Sequence, residues 1–591
     1  MLGNKQEFMR SFAVLNISFG VVFGFFKLYD KLWRYADIVD FFYVEMATII
    51  ANLVFFAVTY FVDIKHQLRI YVLLMLISSF FMFIFRLIYR VNKILERKNP
   101  TNCPKKRLLI VGAGESAVSV MREISKSRDN EYKPICMVDD DKAKIGRRVS
   151  RVKVVGTTNE IPKMCEKYDI ELILFAISSI DSAGRKRILD ICSKVNLEVR
   201  IIPNIYDLVT ANISVTSKIR KVEVEDLLGR EPIVLDTKQC REYVAEQTVL
   251  VTGGGGSIGG ELCRQIGNLG PKKLIIFDIY ENNAYKIQQE LRRNHGEKLN
   301  FEVQIGSIRD NEKLENLFAE KKIDVIFHAA AHKHVPLMET NPEEAVKNNI
   351  FGTLNLVRVA DKYRVKKFVQ ISTDKAVNPT NVMGATKRIC EMIIQSVNDI
   401  SETEYVAVRF GNVLGSNGSV IPLFKEQIKN GGPVTVTHSE IIRYFMTIPE
   451  AVSLVLTAGG IAQGGEIFVL DMGEPVKIKD LAENLIRLSG FVPNEDIKIE
   501  YTGLRPGEKL YEELLLDEEG VRKTQNKKIY IGKPIEFNRE KFEEDLSLLY
   551  KFSKKNDKQK IEKQLREMVP NFRVRAGKHK GLLPKQHSFL R

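Results

Sequence analysis

The sequence predicts an α/β protein in which apolar amino-terminal helices precede two doubly wound, parallel-sheet domains. Three long apolar runs fall within the first 90 residues, and two hydrophobic strands later in the chain run straight into glycine-rich loops. Strand and helix patterns then alternate after each loop, which is typical of parallel sheets with helical crossovers. Because 591 residues are too many for one hydrophobic core, we expect several domains.

The amino-terminal apolar runs cover residues 11–26, 46–62 and 70–89. A helix that crosses a bilayer needs about 20 apolar residues, with about 17 as the lower limit. The second run meets that limit, and the third meets it if Arg86 snorkels. The first is marginal because Asn16 and Ser18 interrupt it. We expect a membrane anchor with three spans over residues 1–104. A cleaved signal peptide is the alternative for the first run, and buried core helices for all three.

Basic residues predict the orientation of this anchor. Between residues 86 and 107, eight lysines and arginines stand against a single acid, Glu96. Since basic residues are enriched on the cytoplasmic side of membrane spans, everything after about residue 90 is expected in the cytoplasm. With three spans, the start of the chain would lie outside.

The net charge indicates the class of partner, and the cysteines indicate the redox compartment. A net charge of +15 favours anionic partners such as phosphates or lipid headgroups, or reflects a solvated cationic surface beside a membrane. No nucleic-acid motif accompanies the charge, so we expect no nucleic-acid partner. The seven cysteines show no paired spacing and are typical of reduced thiols in the cytosol. No zinc signature is present, and we expect no metal.

The first sheet domain is expected over residues 105–215 and is Rossmann-like. A buried strand leads into a short glycine loop, Gly112-x-Gly114-x-x-Ala117, and acids in residues 137–141 could meet a ribose hydroxyl. The motif is weak alone, so a structural or regulatory domain with an empty site is the alternative to a nucleotide site. Residues 216–247 are expected to form a connector, which could be a boundary, a strap or a surface for self-association.

The second sheet domain, residues 248–535, carries a far more specific motif. Its first strand runs into Gly253-x-x-Gly256-x-x-Gly259, and a helix follows. Glycines at these positions let the backbone approach a pyrophosphate at the helix amino terminus. The next strand ends in Asp278, where an acid would bind the adenosine ribose hydroxyl and favour NAD over NADP. Two arginines further on leave NADP possible.

One stretch of this domain concentrates polar chemistry at the end of a strand. A strand over residues 367–371 is followed by Thr373, Asp374 and Lys375, and a helix opening near Met383 carries Lys387. In open α/β sheets, ligands bind at the carboxyl ends of strands. The nearby histidines 332 and 334 lack a matching carboxylate or cysteine set, which argues against a metal site there.

Five motifs together resemble a known family. They are the glycine loop 252–259 and residues 372–387, 409–422, 443–451 and 503–510. The chain resembles the extended short-chain dehydrogenase/reductases, and within them the membrane-bound nucleotide-sugar 4,6-dehydratases of bacterial polysaccharide and glycoprotein synthesis. It is most similar to those that act on UDP-N-acetylglucosamine in bacillosamine synthesis. In that family, the segment at residues 31–36 usually follows two spans, whereas here it follows one marginal run.

The resemblance implies a redox-neutral elimination. NAD, tightly bound and recycled, takes a hydride from sugar C4, a base removes the C5 proton, the C6 hydroxyl leaves as water, and the hydride returns to C6. Asp374 would protonate the leaving hydroxyl, and Lys375 would be the C5 base, provided that burial or cationic neighbours lower its pKa. Lys387 would contact the nicotinamide ribose, and Thr373 would hydrogen-bond O4.

One position departs from the wider superfamily. Met383 stands where the superfamily carries the tyrosine that takes the proton of the oxidised hydroxyl. A thioether cannot accept that proton usefully. The remaining candidates are Asp374, a bound water or a relay through Thr373, while Met383 itself packs against the nicotinamide or the sugar.

The resemblance also implies which residues line the cofactor and the substrate. For the cofactor they are Thr252, Gly253, Gly256, Ser257, Ile258, Gly259, Asp278, Ser307, Ile308, Ala329, Ala330, Ala331, Asn349 and Lys387. For the substrate they are His332, Lys333, Asn412, Ser419, Val420, Pro422, Arg443, Arg505 and Glu508.

The expected partners are UDP-N-acetylglucosamine, membrane lipid and a second copy of the chain in a dimer. The expected location is the bacterial inner membrane, as a multi-pass protein with cytoplasmic catalytic domains. Residues 536–591 are expected to be a basic helical segment, either solvated or against acidic lipid headgroups. A UDP-sugar 4- or 5-epimerase and a non-catalytic membrane scaffold that senses nucleotides are the alternative functions.

Overall fold

The computed structural model describes the chain in segments: residues 2–29, 38–62, 67–96, 105–126, 131–202, 219–222, 226, 237–513, 521–532 and 537–572. It divides into two compact units, one formed by residues 1–105 with 126–131 and the other by the rest. The family segment at residues 31–36 lies outside the described residues, as does half of the predicted connector.

The amino-terminal unit consists of helices α1 (Leu2–Phe25), α2 (Ile38–Phe61) and α3 (Leu68–Glu96). Two stretches are long and apolar enough to cross a membrane, Phe8–Phe25 and Phe42–Phe61. The first run, expected to be marginal, therefore qualifies by length and composition. Among the described residues, α3 contains a shorter apolar stretch, Leu68–Ile84.

Within this unit, small and polar side chains are buried beside a few large apolar ones, and many other large apolar side chains are exposed. Ala47 and Ala51 of α2 are fully buried, and such small side chains let helices approach closely. Asn52 donates from Nδ2 to Oγ of Ser78 at 3.0 Å, which joins α2 to α3. Large apolar side chains on all three helices are exposed. This distribution suits a lipid environment better than water.

The first sheet domain is built on seven strands in the order β3-β4-β2-β1-β5-β6-β7. They are β1 (Lys106–Val111), β2 (Tyr132–Val138), β3 (Arg148–Val149), β4 (Val152–Gly156), β5 (Leu172–Phe175), β6 (Glu198–Ile201) and β7 (Arg220–Lys221). The central strands are parallel, as predicted, and the last lies beyond the expected boundary at residue 215.

The second domain contains a nine-stranded sheet in the order β10-β9-β8-β11-β12-β13-β17-β21-β20. They are β8 (Thr248–Thr252), β9 (Lys273–Asp278), β10 (Phe301–Ile305), β11 (Val325–His328), β12 (Lys367–Thr373), β13 (Glu404–Phe410), β17 (Ile467–Leu470), β20 (Val521–Lys523) and β21 (Ile529–Gly532). All pairs from β10 to β17 are parallel, and β21 and β20 add an antiparallel edge. The predicted doubly wound α/β fold is confirmed.

Helices cover both faces of these sheets. They are α4 (Glu115–Lys126), α5 (Ile161–Lys167), α6 (Ser182–Cys192), α7 (Thr237–Val244), α8 (Ser257–Gly267), α9 (Glu281–His295), α10 (Asn311–Glu320), α11 (Val335–Thr340), α12 (Pro342–Ala345), α13 (Gly352–Lys362), α14 (Val382–Asn398), α15 (Val420–Lys429), α16 (Ile448–Ile461), α17 (Ile478–Leu488), α18 (Arg539–Lys554) and α19 (Lys558–Met568). All residues of β8 and β11 are buried, because helices lie on each side.

A smaller part lies at the carboxyl edge of the large sheet. It holds β14 (Asn412–Val413), β15 (Val434–Val436), β16 (Ile442–Met446), β18 (Pro475–Lys477) and β19 (Ile499–Tyr501), with α15 and α17. These elements share a hydrophobic cluster of their own. They form the predicted small substrate-binding part and provide a wall that the sheet alone lacks.

Two segments pack more closely on the second domain than the sequence alone indicated. Residues 237–244 of the predicted connector form α7, which packs on α16: Tyr243 donates its hydroxyl to the carbonyl of Leu456 at 2.6 Å. Residues 537–572 are helical, as expected, but they are not a solvated tail. Leu549 and Leu565 are fully buried in the same cluster as helix α14. Amphipathic helices with lysine-rich outer faces explain why the sequence alone suggested a solvated segment.

We predict that Leu549→Ala destabilises the second domain by about 2 to 5 kcal/mol, because it removes a fully buried side chain and leaves a cavity. Leu548→Ala, one residue earlier and 41% exposed, is the matched control and should cost about 0.5 kcal/mol or less. The measurement is the urea dependence of unfolding of the full-length protein in detergent. Equal effects of the two changes would show that α18 is peripheral to the core.

Candidate active site

The glycine loop after β8 is packed too tightly for any side chain. Gly253 has a φ of +68°, and a Cβ there would lie 2.7 Å from the backbone nitrogen of Ala330. A Cβ on Gly259 would lie 2.0 Å from the carbonyl oxygen of Gly253. The loop therefore passes directly over the start of helix α8. Its backbone N–H groups and the helix dipole together suit a pyrophosphate.

Asp278 closes this loop from the neighbouring strand. Its Oδ2 accepts the N–H of Gly255 at 2.8 Å, and its Oδ1 accepts the N–H of Tyr280 at 2.8 Å. The carboxylate is half-buried at the carboxyl end of β9. This is the position that the predicted contact to the adenosine ribose requires. The narrow glycine loop and this acid fit a bound NAD.

The other residues predicted to line the cofactor differ in what they face. Ala329, Ala330 and Ala331 follow β11 beside the glycine loop and are half-buried or exposed, while Ser257, Ile258 and Ser307 are half-buried. Thr252 and Ile308 are buried, at the end of β8 and after β10.

Asn349 holds the loop after β11 in place. Its Oδ1 accepts the N–H of His332 at 2.8 Å, and its Nδ2 donates to the carbonyl of His332 at 3.0 Å and to Thr386 at 3.1 Å. The Asn349 amide thus joins the cofactor loop to helix α14. Its side chain supports the cofactor site from behind.

A buried histidine joins the end of β8, next to the glycine loop, to helix α13. His328 lies 2.7 Å from the hydroxyl of Thr252 through Nδ1 and 2.9 Å from the hydroxyl of Thr353 through Nε2. Burial, with a smaller effect of Lys387, lowers the pKa of His328 to about 3. The ring is therefore neutral at physiological pH and acts as a hydrogen-bonded spacer.

The polar turn after β12 is fixed at both ends. Strand β12 extends through Thr373, two residues further than predicted, and a single 3-10 turn, Asp374–Ala376, follows. Helix α14 begins at Val382, where the side chain of Asn381 accepts the N–H of Gly384 at 2.8 Å. A Cβ on Gly384 would lie 2.2 Å from the carbonyl oxygen of Lys375. The helix can approach the turn only because this residue is glycine.

Asp374 is fully buried in this turn. Its Oδ1 accepts the hydroxyl of Thr373 at 2.8 Å and the ammonium of Lys375 at 3.0 Å. Its Oδ2 has no hydrogen-bond partner within the described part of the chain. Burial raises the pKa of Asp374, and the negative charge of Glu512 raises it further, against an opposing effect of Lys375. The carboxyl is suited to hold and donate a proton.

Lys375 does not meet the condition that we set for a base. Burial acts to lower its pKa, but the carboxylates of Asp374 and Glu512 outweigh burial, and the pKa is raised above its ordinary value. The Lys375 Nζ lies 3.5 Å from Glu512 and within 3.4 Å of Oδ1 of Asn412. The larger cause is the adjacent Asp374, and the smaller is Glu512, which is distant along the chain.

Helix α14 brings Met383 and Lys387 next to this turn. Met383 is buried and belongs to a large hydrophobic cluster of the protein. Lys387 is buried as well, and burial lowers its pKa, with partial opposition from Cys390 and Glu391. The two side chains lie four residues apart and therefore on one face of the helix.

A cleft of about 270 Å³ lies between this turn and the smaller part of the domain. Seven of the residues predicted to bind substrate line it, namely Lys333, Asn412, Ser419, Val420, Arg443, Arg505 and Glu508. Lys375 lines it as well. His332 and Pro422 do not line this cleft, because the His332 side chain is exposed on the cofactor loop and Pro422 is exposed on α15.

The basic groups of the cleft are partly neutralised by acids. Arg443 is buried, and its guanidinium lies 3.3 Å from Glu508 and 3.6 Å from Glu512. Glu508 also accepts the hydroxyl of Thr437 at 3.2 Å. Arg505 is exposed at the edge of the cleft. An anionic ligand would therefore meet Arg505 first and Arg443 deeper inside.

The sequence analysis missed a buried ion pair that lies next to the polar turn after β12. Arg409 of β13 donates through Nε and one terminal nitrogen to the two oxygens of Glu391, at 2.7 Å each. Glu391 Oε1 also accepts the hydroxyl of Ser372 at 2.6 Å. Glu391 and Arg409 are almost fully buried. An arginine in an apolar strand pattern was the only signal in the sequence.

The first sheet domain repeats part of the cofactor-site geometry. The N–H of Ala113 donates to Oδ2 of Asp139 at 2.8 Å, as the loop amide of Gly255 does to Asp278. The same oxygen accepts Nζ of Lys144 at 3.1 Å. Asp139 is therefore the acid predicted within residues 137–141, and it forms an ion pair inside its own domain.

Comparison with known proteins places these features. A family model described as "Polysaccharide biosynthesis protein" matches residues 249–534, and one described as "CoA-binding domain" matches residues 28–203. The chain is 47% identical over 528 residues to the capsular polysaccharide biosynthesis protein CapD of Staphylococcus aureus, covering 88% of this chain and 87% of that protein.

Two further relatives match mainly the second domain. A UDP-N-acetylglucosamine 4,6-dehydratase (inverting) of Campylobacter jejuni is 36% identical over 271 residues, which is 45% of this chain and 76% of that protein. A UDP-glucose 4-epimerase of Rickettsia bellii is 34% identical over 339 residues, which is 55% of this chain and 96% of that protein.

We predict that Glu391→Gln destabilises the second domain by about 3 to 5 kcal/mol, because it leaves the charge of Arg409 buried without its counter-charge. The control is Glu290→Gln, since Glu290 pairs with Arg264 near the surface and should cost about 1 kcal/mol or less. Denaturant unfolding of the full-length protein measures both. A loss for Glu391→Gln no larger than for the control would contradict the importance of the buried pair.

Proposed function

This chain belongs to the polysaccharide biosynthesis protein family of nucleotide-sugar dehydratases and epimerases, and from that premise we propose that it catalyses the 4,6-dehydration of UDP-N-acetylglucosamine. The product would be the UDP-4-keto-6-deoxy sugar. The observation that carries the proposal is the turn Thr373–Asp374–Lys375, which puts a carboxyl group and an amine beside a cleft next to the cofactor loop.

The glycine loop and Asp278 would hold NAD, which would supply the hydride acceptor of the reaction. Lys387, buried on α14, lies on the helix face that Met383 shares. A buried cation at this place favours negative charge on the sugar oxygen O4 while the ketone forms. These are the tasks that the resemblance assigned to the same residues.

Asp374 is the acid for the leaving C6 hydroxyl. Burial raises the pKa of Asp374, which favours the protonated form that an acid needs, and its Oδ2 has no hydrogen-bond partner in the described part of the chain. Lys375 is the base for the C5 proton and must lose its own proton first, because its pKa is raised. The proton of the 4-hydroxyl goes to water or through Thr373, since a protonated Asp374 cannot accept it and Met383 is a thioether.

The basic groups of the cleft select a diphosphate. Arg505 is a candidate for a bidentate contact to the diphosphate, and Arg443 lies deeper among Glu508 and Glu512. The amino-terminal helices anchor the enzyme to the bacterial cell membrane through the stretches Phe8–Phe25 and Phe42–Phe61. The basic surface then faces acidic lipid headgroups on the cytoplasmic side.

A 4-epimerase is the second candidate function, because an epimerase of UDP-glucose is among the relatives. Met383 in place of a tyrosine and a lysine directly after the acid favour elimination instead. The test is incubation of the full-length protein in detergent with UDP-N-acetylglucosamine, followed by NMR of the product. We expect a 6-methyl signal and loss of the C6 hydroxymethyl group. An epimer that retains the C6 hydroxyl would overturn the proposal.

We predict that Asp374→Asn lowers the rate of product formation by about 10²- to 10⁴-fold, because an amide of the same shape cannot deliver the proton. Retention of NAD should be unchanged, since Asp374 lies in the turn and not in the glycine loop. Asp399→Asn is the control, because that side chain is exposed and pairs with Arg539 at the surface. A wild-type rate for Asp374→Asn would remove this residue from the mechanism.

A further inference from the structure

A carboxylate that the motifs did not single out lies beside the catalytic turn. Glu512 is buried and lines the cleft. Its Oε1 lies 3.5 Å from Nζ of Lys375 and 3.6 Å from Nε of Arg443. Its other oxygen, Oε2, has no hydrogen-bond partner in the part of the chain that the structure describes.

A buried carboxylate stays ionised only where cations offset the loss of water. Burial acts to raise the pKa of Glu512, but Lys375, Arg443 and Lys509 together outweigh burial and lower it. Lys509 is itself buried and donates to the carbonyl of Val377 at 3.0 Å. The pKa of Glu512 therefore lies below its ordinary value, and its carboxylate is ionised at neutral pH.

Five polar or charged side chains face Lys375. They are Asp374, Asn412, Glu512, Arg443 and Lys333. Both carboxylates raise the pKa of Lys375, with Asp374 at 3.0 Å as the larger cause and Glu512 at 3.5 Å as the smaller one. Glu512 is the carboxylate that also contacts Arg443, so it ties the Lys375 ammonium to the wall of the cleft.

We propose that Glu512 is the positioning residue for Lys375: its carboxylate holds the amine in the cleft and keeps it protonated until the pH rises. The inference rests on the proposed dehydration for its catalytic meaning, since a C5 base has to be a free amine. In that reaction, Glu512 sets the pH above which the amine can take the C5 proton. No reacting atom has to touch Glu512 itself.

The decisive measurement does not need turnover. Acetic anhydride acylates a free amine and not an ammonium, so the extent of Lys375 acetylation against pH, read by mass spectrometry of the full-length protein, reports its titration. Glu512→Gln removes the charge and keeps the shape. We expect the midpoint of Lys375 acetylation to move to lower pH by about 1 to 3 units. The exposed Lys563 serves as an internal reference whose midpoint stays unchanged.

Two variants separate charge from structure. Glu513→Gln changes the adjacent, exposed carboxylate and should leave the Lys375 midpoint and the activity as they are. Glu512→Asp keeps the charge at a greater distance and should give a midpoint between wild type and Glu512→Gln. The same midpoint in wild type and Glu512→Gln, or equal shifts for the Asp and Gln variants, would overturn the proposal.

The activity profile then links this titration to the chemistry. The acid limb of kcat/KM against pH should move to lower pH in Glu512→Gln, by the same shift as the acetylation midpoint, and a fraction of misfolded protein does not alter its position. A uniform loss of rate with an unmoved limb would contradict the proposal. If the wild type forms no dehydrated product while the acetylation midpoint still shifts, the proposed dehydration fails and the positioning role of Glu512 stands.

Discussion

The geometry of the site depends on a buried ion pair one layer beneath it. Arg409 on β13 and Glu391 on α14 meet through two hydrogen bonds of 2.7 Å, and Ser372 adds a third bond to the same carboxylate. Ser372 directly precedes Thr373. Two neighbouring strands and the helix that carries Lys387 are thereby fixed against each other. A buried ion pair is weak evidence for stability because desolvation offsets attraction, but it allows only one arrangement of its partners.

A second group of charged residues, around Lys375, differs from the Arg409–Glu391 pair in its hydrogen bonds. The Arg409–Glu391 pair is satisfied within the protein. Asp374 and Glu512 each retain a buried oxygen without a hydrogen-bond partner in the described chain. Such groups are costly unless a ligand completes them. The hydroxyl and acetamido donors of a sugar are groups of the right kind. The Arg409–Glu391 pair thus fixes the strands and the helix against each other, whereas Asp374 and Glu512 still have oxygens that can accept hydrogen bonds from a substrate.

The parts of this arrangement that the sequence predicted are those encoded locally. The glycine loop, Asp278 and the strands around them follow from residues that are close in the chain, and the parallel sheet follows from their alternation. The raised pKa of Lys375 was only partly encoded locally: Asp374 is its sequence neighbour, whereas Glu512 is brought near only by the folded chain. The buried helices α7, α18 and α19 were misjudged for a related reason. Their outer faces are polar, and only the packing of Leu549 and Leu565 reveals the inner ones.

The relation between the two sheet domains follows from a single helix. Helix α17, Ile478–Leu488, begins with Ile478 in the wall of the cleft and ends with Leu488 buried in a core cluster of the first sheet domain. Its 11 residues span about 16 Å. Asp139 of the first domain is paired with Lys144 inside its own domain. The first sheet domain thus packs against the far end of the helix whose near end lines the cleft.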